Sequence, residues 1–391
     1  MKTYQNTFDE LTKKVGNVNA WKIAALFFGV RDENQEADPL NPYRNKRAGF
    51  SMALNLEFGG IAVKAPRPES MIGANYSPII FDGRQLFNEI TQNSISAQVS
   101  QKILPAGVRN LAATSSGTIE VMVFPGCSLF DYGKECTFCI VGPTIGKDSV
   151  SGSTILSELE LMITAGIPLN NVTLNTGQPR EPGRDLQIIG EIAKQLKEAY
   201  PQVKIAAEVA PFSFVPRLSA LEAYLNSTGL SNVDTFMINV EMVSDLARKI
   251  LCPGKPSLDK YRQTIFGLSD LGYQVTTVIQ MNYLFDMEPI EGVANFVYEL
   301  SDKGSGLVAP ELLVSRAVPS SNIPDEYWQS LSVPMAKEDA QMLMFGRFEE
   351  FLERSAYVNR AVVGARLDSY RAKAGCVLCN GCGMKPEIRC D

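Results

Sequence analysis

Histidine is absent from this sequence. That single gap excludes Ser-His-Asp and Cys-His catalysis, His-ligated zinc, and axial His ligation of haem or cobalamin. Any metal the chain holds must rest on thiolate or carboxylate ligands. Long apolar runs are missing too: none reaches the roughly 18 residues that a membrane span needs. The opening stretch, Met1-Lys-Thr-Tyr-Gln-Asn-Thr-Phe8, has no hydrophobic core of the signal-peptide kind. Positive charge is not in excess either, with 37 Lys and Arg against 43 Asp and Glu and a formal net charge of -6. An acidic total argues against a general nucleic-acid binder. The expectation is a cytoplasmic protein with reduced thiols, no membrane partner, and a small molecule rather than a nucleic acid as substrate.

What is present is a globular composition, 391 residues with 45% hydrophobic and 20% charged side chains, enough for one large core or two domains. The eight cysteines are grouped. Cys127, Cys136 and Cys139 form one set, Cys376, Cys379, Cys382 and Cys390 another, and Cys252 stands alone. Grouping of this kind reads as metal binding rather than a disulfide framework.

The first set lies in Phe124-Pro-Gly-Cys-Ser-Leu-Phe-Asp-Tyr-Gly-Lys-Glu-Cys-Thr-Phe-Cys139, a C-x8-C-x2-C pattern directly after the apolar run 119–124. Three thiolates leave one position of a tetrahedral or cubane metal site open, as a catalytic site requires. Phe138, inside the final C-x-x-C, would shield one side of a cluster from water. A structural zinc loop completed by a fourth ligand from elsewhere is the other reading of the same residues.

From 118 onward the pattern alternates. Strands are expected at 118–124, 171–174, 203–209, 235–240, 274–280 and 307–315. Helices are expected at 153–165, 185–199, 218–225, 244–250, 258–271 and 290–302. Six such repeats indicate a parallel sheet covered by helices on one face, an open or partial barrel, with functional residues at the C-terminal strand ends. Before it, 8–15 reads as a helix, 21–30 as an apolar run, 31–47 as a loop, 52–63 as a hairpin turning at Gly59-Gly60, and 85–95 as a short helix. After it, 318–334 reads as a loop and 337–363 as a long helix. The expected class is α/β, a partial (β/α)6 TIM-like barrel with an N-terminal extension and a C-terminal cysteine-rich tail. Its parts are 1–115, 116–318 and 319–391.

Strand-end residues carry the candidate chemistry. Asn239 and Glu241 are two apart, so in a strand they share one face, and a pocket-facing carboxylate there needs a partner. Glu208 ends the preceding strand. Cys252, alone among the cysteines, reads as a small buried hydrophobe.

With the cysteine loop after a strand and the β-α rhythm behind it, the sequence resembles the radical S-adenosylmethionine (radical SAM) superfamily over about residues 118–316. The usual spacing there is C-x3-C-x2-C; the gap of eight is a departure. The resemblance implies a [4Fe-4S] cluster on Cys127, Cys136 and Cys139. The fourth iron chelates S-adenosylmethionine, and reduction releases a 5'-deoxyadenosyl radical. Thr176-Gly177-Gln178-Pro179 is similar to the Gly-Gly-Glu-Pro element that meets the cofactor's amino group. Its second Gly and its Pro match, while Thr176 and Gln178 depart; a glutamine still offers a carbonyl oxygen to an ammonium. Asn239 and Glu241 resemble the Asn-x-acidic pair that meets the ribose, with Glu208 a further candidate for polar groups of the cofactor. Arg248 or Lys249 would meet the methionyl carboxylate, Arg248 being favoured for its bidentate fork. Cys252-Pro-Gly-Lys255 also resembles some members, and the resemblance makes Cys252 a candidate hydrogen donor to a substrate radical.

The tail pattern C-x2-C-x2-C-x7-C suits an auxiliary [4Fe-4S] cluster or a zinc ion. The resemblance favours a second [4Fe-4S] cluster and implies an electron donor such as flavodoxin or ferredoxin. Two other classes stand beside this reading, a two-site zinc protein binding a partner or nucleic acid, and an iron–sulfur electron carrier without radical chemistry.

Overall fold

The computed structural model describes residues 4–33, 53–66, 77–99, 104–113, 118–124, 126–137, 149–178, 181–212, 218–280, 290–304 and 306–313, together with Phe345. Phe138, Cys139, Cys376, Cys379, Cys382 and Cys390 lie outside the described residues, as do most of 31–47, all of 318–334, and the 337–363 helix apart from Phe345.

Two helices open the chain, α1 (Tyr4–Val15) and α2 (Asn17–Phe28). Helix α2 is the apolar run of the sequence, and Ala20, Trp21, Ile23, Ala24 and Ala25 on it are all buried. A helix apolar on more than one face has to be covered from several sides. Tyr4, Phe8, Phe28 and Trp21 form edge and stacked ring pairs about it, and Phe345 joins them at 5.3 Å from Tyr4 and 5.0 Å from Phe28. A residue from the far end of the chain thus packs on the first helix.

Short strands follow: β1 (Arg31–Asp32), β2 (Ala53–Phe58), β3 (Ile61–Pro66), β4 (Ile79–Phe81), β5 (Gln85–Asn88), β6 (Asn93–Ser96) and β7 (Gln98–Val99). They make a sheet of order β3-β2-β7 and another of order β1-β4-β5-β6. The β2–β3 hairpin turns at Gly59-Gly60, as the sequence indicates. The expected helix at 85–95 is instead the β5–β6 hairpin. Its burial alternates along β5, a period of two that so short a segment barely distinguishes from a helical period. Asn88 decides the matter: its Oδ1 accepts from the N–H groups of Ile90 and Thr91, and its Nδ2 donates to the Tyr4 hydroxyl at 2.8 Å. A side chain that satisfies turn donors and is anchored in the core specifies a turn.

The main sheet has order β14-β13-β12-β11-β10-β9-β8. Strands β9 (Thr118–Phe124), β10 (Asn171–Thr176), β11 (Lys204–Glu208), β12 (Thr235–Met237), β13 (Gln274–Gln280) and β14 (Val308–Leu313) pair in parallel. Strand β8 (Leu111–Ala113), which the sequence does not announce, pairs antiparallel on the edge of β9. The connecting helices are α3 (Ser128–Asp131), α4 (Gly152–Thr164), α5 (Pro182–Ala199), α6 (Leu218–Thr228), α7 (Asp245–Leu251), α8 (Leu258–Asp270) and α9 (Ile290–Lys303). Local chemistry starts them. Ser151 and Ser244 cap α4 and α7 by accepting from Thr154 and Ala247, and Pro182 opens α5. Along α5, Leu186, Ile189, Ile192, Ala193 and Leu196 recur at helical spacing and enter the core beside Leu174, Ile205 and Phe236 of the strands. The architecture is therefore an α/β open sheet whose parallel strands follow one another in chain order. Among the described residues, no helix is long and apolar enough to cross a membrane.

Strand β12 stops at Met237 rather than continuing to 240. The Val240 N–H donates to the Thr277 hydroxyl at 3.3 Å instead of to a main-chain carbonyl, so the ladder is broken there. Pairing resumes as an isolated bridge between Glu241 and Ile279. Glu241 has φ of 67°, in the left-handed region. A non-glycine residue there costs on the order of 1 kcal/mol or more and has to be held in place by its surroundings.

Candidate functional site

One pocket gathers the C-terminal ends of β9 to β12. Cys127, Leu129 and Cys136 reach it from the loop after β9, and Thr176, Gly177 and Gln178 from the end of β10. Glu208 comes from the end of β11, Asn239 and Glu241 from beyond β12, and Lys255 and Tyr261 from the α7–α8 region. Residues from four successive strand ends meet because parallel strands in sequential order place all their C-terminal ends on one edge.

The cysteine loop is locked to the loop after β10. Ser128 donates its N–H to Gln178 O at 2.9 Å, and Gln178 donates its N–H to Cys127 Sγ at 3.3 Å. Gly177 is required for this contact: a Cβ there would stand 2.6 Å from both Cys127 Cβ and Gly126 O. Burial pushes the Cys127 thiol up, while the N–H groups of Leu129 and Gln178 aimed at its sulfur pull it down. Donors of this kind are suited to an anionic sulfur. Cys136 is buried, and a hydrogen bond from the Cys252 thiol holds it below the usual thiol range, against the effect of burial. Cys252, itself only 2% exposed, is correspondingly raised well above its ordinary value by that same bond and by burial.

Behind the thiols lies a polar network. Asn239 Nδ2 donates to Glu208 Oε1 at 2.6 Å, and Lys255 Nζ stands 3.1 Å from both Glu241 Oε1 and Asn239 O. Asn239 Oδ1 is buried and has no hydrogen-bond partner among the described residues. A buried carbonyl oxygen left without a donor costs about 1–3 kcal/mol, which a ligand hydroxyl or amine would recover. Burial would lower Lys255, but the Glu241 carboxylate leads the groups that hold it well above its ordinary value. Burial, and then the Glu241 charge, pushes Glu208 up to about 7.

That shift has a measurable consequence. An unfolded glutamate titrates near ~4.3, so the folded chain binds this proton more tightly, and its stability falls as pH rises from there through about 7. In the metal-free protein, Glu208→Gln is expected to raise the thermal midpoint at pH 8, by a stabilisation on the order of 1–3 kcal/mol, and to leave it nearly unchanged at pH 5. Equal shifts at both pH values would show that ionisation of Glu208 is not the source.

Several sequence candidates therefore converge: Cys127, Cys136, Thr176, Gly177, Gln178, Glu208, Asn239 and Glu241 all line one pocket. Two do not line it. Arg248 is 6% exposed and its Nη1 donates to Val240 O and Met242 O at 3.1 and 3.0 Å. Its Nη2 donates to Pro256 O, and its guanidinium lies 5.0 Å from the centroid of the Tyr261 ring. It braces the loop, and Lys255 is the cation that faces the pocket. Cys252 is buried away from it. Lys255 and Tyr261 carried no assigned role in the sequence; the Cys-Pro-Gly-Lys run was the available signal for the first. Among the described residues no group of three or more Cys, Asp or Glu is set to hold a metal ion; Cys139 lies outside them.

No protein-family model matches the chain, and no curated protein matches it. Solved structures do resemble it. One is the cobalamin-dependent S-adenosylmethionine radical enzyme OxsB, at 15% identity and a TM-score of 0.35, covering 62% of this chain and 30% of that one. A second is a spore photoproduct lyase mutant with bound AdoMet, at 13% identity and a TM-score of 0.40, covering 60% and 72%. A third is an intracellular xylanase of Thermoanaerobacterium saccharolyticum, at 13% identity and a TM-score of 0.27, covering 50% and 70%. Superpositions this loose, with a radical enzyme, a lyase and a xylanase among them, assign no activity.

Proposed function

We propose that the chain is a radical SAM enzyme acting on a small molecule. Cys127, Cys136 and Cys139 would hold a [4Fe-4S] cluster, and the pocket beside them would hold S-adenosylmethionine. The observation that carries this reading is the buried, unpartnered Asn239 Oδ1, on a side chain whose amide nitrogen bonds Glu208, in a pocket lined by Cys127 and Cys136. A zinc loop or a plain electron carrier has no use for such a pocket; a ribose, an ammonium and a sulfonium together do.

When bound and reduced, the cluster supplies the electron that cleaves S-adenosylmethionine. The chain's own residues bind and orient. Asn239 Oδ1 and Glu241 accept from ribose hydroxyls, with Lys255 steadying the Glu241 carboxylate through the 3.1 Å ion pair. Gln178 offers an amide oxygen to the methionyl ammonium. Lys255, in place of the buried and saturated Arg248, attracts the methionyl carboxylate. Glu241 is paired with Lys255, so the pocket becomes net negative as Glu208 ionises, above about pH 7, which suits a sulfonium ligand. Leu129 and Tyr261 form apolar wall that keeps water from the thiols. The tail cysteines Cys376, Cys379, Cys382 and Cys390 would hold an auxiliary [4Fe-4S] cluster, and a flavodoxin or ferredoxin would supply electrons.

Anaerobic reconstitution with iron and sulfide, then dithionite and S-adenosylmethionine, tests the reading. The expected result is 5'-deoxyadenosine that requires all components. Tightly held zinc, no iron–sulfur absorbance and no product would overturn it.

A further inference from the structure

Glu208 lines the pocket with no cofactor group to bind. It closes β11, where Ile205 and Ala207 enter the core beneath the helices, so Glu208 stands on the opposite face of the sheet. Glu120 of β9 is on that same face, because Ile119 and Val121 beside it also enter the core. Glu208 Oε1 accepts from Asn239 Nδ2 at 2.6 Å. Its Oε2 has no hydrogen-bond or ion-pair partner among the described residues and opens into the pocket. Lys255, the cation on the pocket wall, is committed elsewhere, its Nζ standing 3.1 Å from both Glu241 Oε1 and Asn239 O. Glu241 is thus balanced and Glu208 is not. Beyond Glu208 the wall continues as Val209, Ala210 and Pro211, which bring neither charge nor a polar side chain. A carboxylate in such surroundings calls for a charged donor, because an ion taken out of water without a partner is costly. The sulfonium of S-adenosylmethionine has no N–H to give, and Gln178 at the end of β10 is placed to take the cofactor's ammonium.

We propose that Glu208 selects the substrate rather than the cofactor, its Oε2 receiving a protonated nitrogen, an amine or amidine, on a small molecule whose apolar part lies against Val209, Ala210 and Pro211. The inference rests on the proposed function in calling that molecule a substrate. Burial and the charges of Glu241 and Glu120 disfavour the ionised form of Glu208, while Lys255 and Asn239 favour it. Strand β10 brings no titratable group to it; Asn175 is its partner in that ladder. Cys127, Cys136 and Tyr261 are the other titratable groups on the pocket wall. An arriving cation therefore binds the ionised carboxylate, and binding tightens as pH rises and the proton leaves.

Anaerobic calorimetry on the reconstituted full chain in saturating S-adenosylmethionine, titrated with 1-aminobutane and in parallel with 1-butanol, tests the inference. At pH 8 the amine is expected to bind about tenfold tighter than the alcohol, the effect of one hydrogen bond to a charged group. Glu208→Gln should erase the difference. So should pH 5 in the wild-type chain, where the carboxyl is protonated and the amine keeps its charge. An amine that binds no better than the alcohol, or an advantage that survives in Glu208→Gln, overturns the inference. An amine that binds only when S-adenosylmethionine is left out also overturns it, since Glu208 would then serve the cofactor. An amine preference that depends on Glu208, in a chain that forms no 5'-deoxyadenosine, upholds the cation site and overturns the proposed function instead.

Discussion

Replacing Cys136 with alanine is expected to abolish 5'-deoxyadenosine formation, while Cys379→Ala retains it. Cys136 sits on the pocket wall, is buried, and has its sulfur held toward the anionic form by the neighbouring thiol. With three cysteines in the loop and no histidine in the sequence to substitute, losing one thiolate leaves two, too few to retain a cubane in an open-site arrangement. The fold should tolerate the change, because alanine removes one buried sulfur at a loop position rather than a large core side chain. Iron per chain, the visible absorbance and the product assay report the outcome together. Product formation surviving in Cys136→Ala would move the cluster elsewhere, and its loss in Cys379→Ala would make the tail part of the radical site.

Gly177→Ala should be nearly as damaging although it touches no ligand chemistry. The added Cβ would lie 2.6 Å from the Gly126 carbonyl and from Cys127 Cβ, and 2.9 Å from Cys127 Cα. Main-chain atoms cannot yield as a flexible side chain can, so the cysteine loop has to move. It would lose the Ser128-to-Gln178 and Gln178-to-Cys127 hydrogen bonds as it did so. A displacement of about 1 Å at a reacting centre costs on the order of 10²-fold in rate. Gly183→Ala is the control: nothing lies within 4 Å of its Cβ, and it stands in the first turn of α5, where alanine is the better helix former. A Gly177→Ala chain with normal iron content and rate would mean that the two loops are not coupled.

Much of the fold was legible because its signals are local. Six apolar strands alternating with amphipathic helices gave an open parallel sheet, and strand-end placement picked out the pocket residues on β10, β11 and beyond β12. The 85–95 segment failed for a physical reason: its turn is specified by Asn88 bonding forward to two N–H groups and back to Tyr4, a residue far away in the chain. The stop of β12 also depends on a hydroxyl of its neighbour, Thr277. Arg248 illustrates the limit most clearly. Its fork suits a carboxylate, yet it is saturated by the carbonyls of Val240, Met242 and Pro256. Lys255, one loop further on, takes the pocket position.

The sequence alone determined the absence of imidazole chemistry, the grouping of thiols, the rhythm of strand and helix, and the edge of the sheet where the pocket lies. Composition, spacing and periodicity act over a few residues and are readable without knowing what packs on what. Tertiary structure alone decided which cation faces the pocket, that Asn239 keeps a carbonyl oxygen in reserve, and that Cys136 lines the pocket while Cys252 is buried outside it. Those facts depend on how segments distant in the chain settle against one another, and burial and close packing choose among side chains that spacing leaves equivalent.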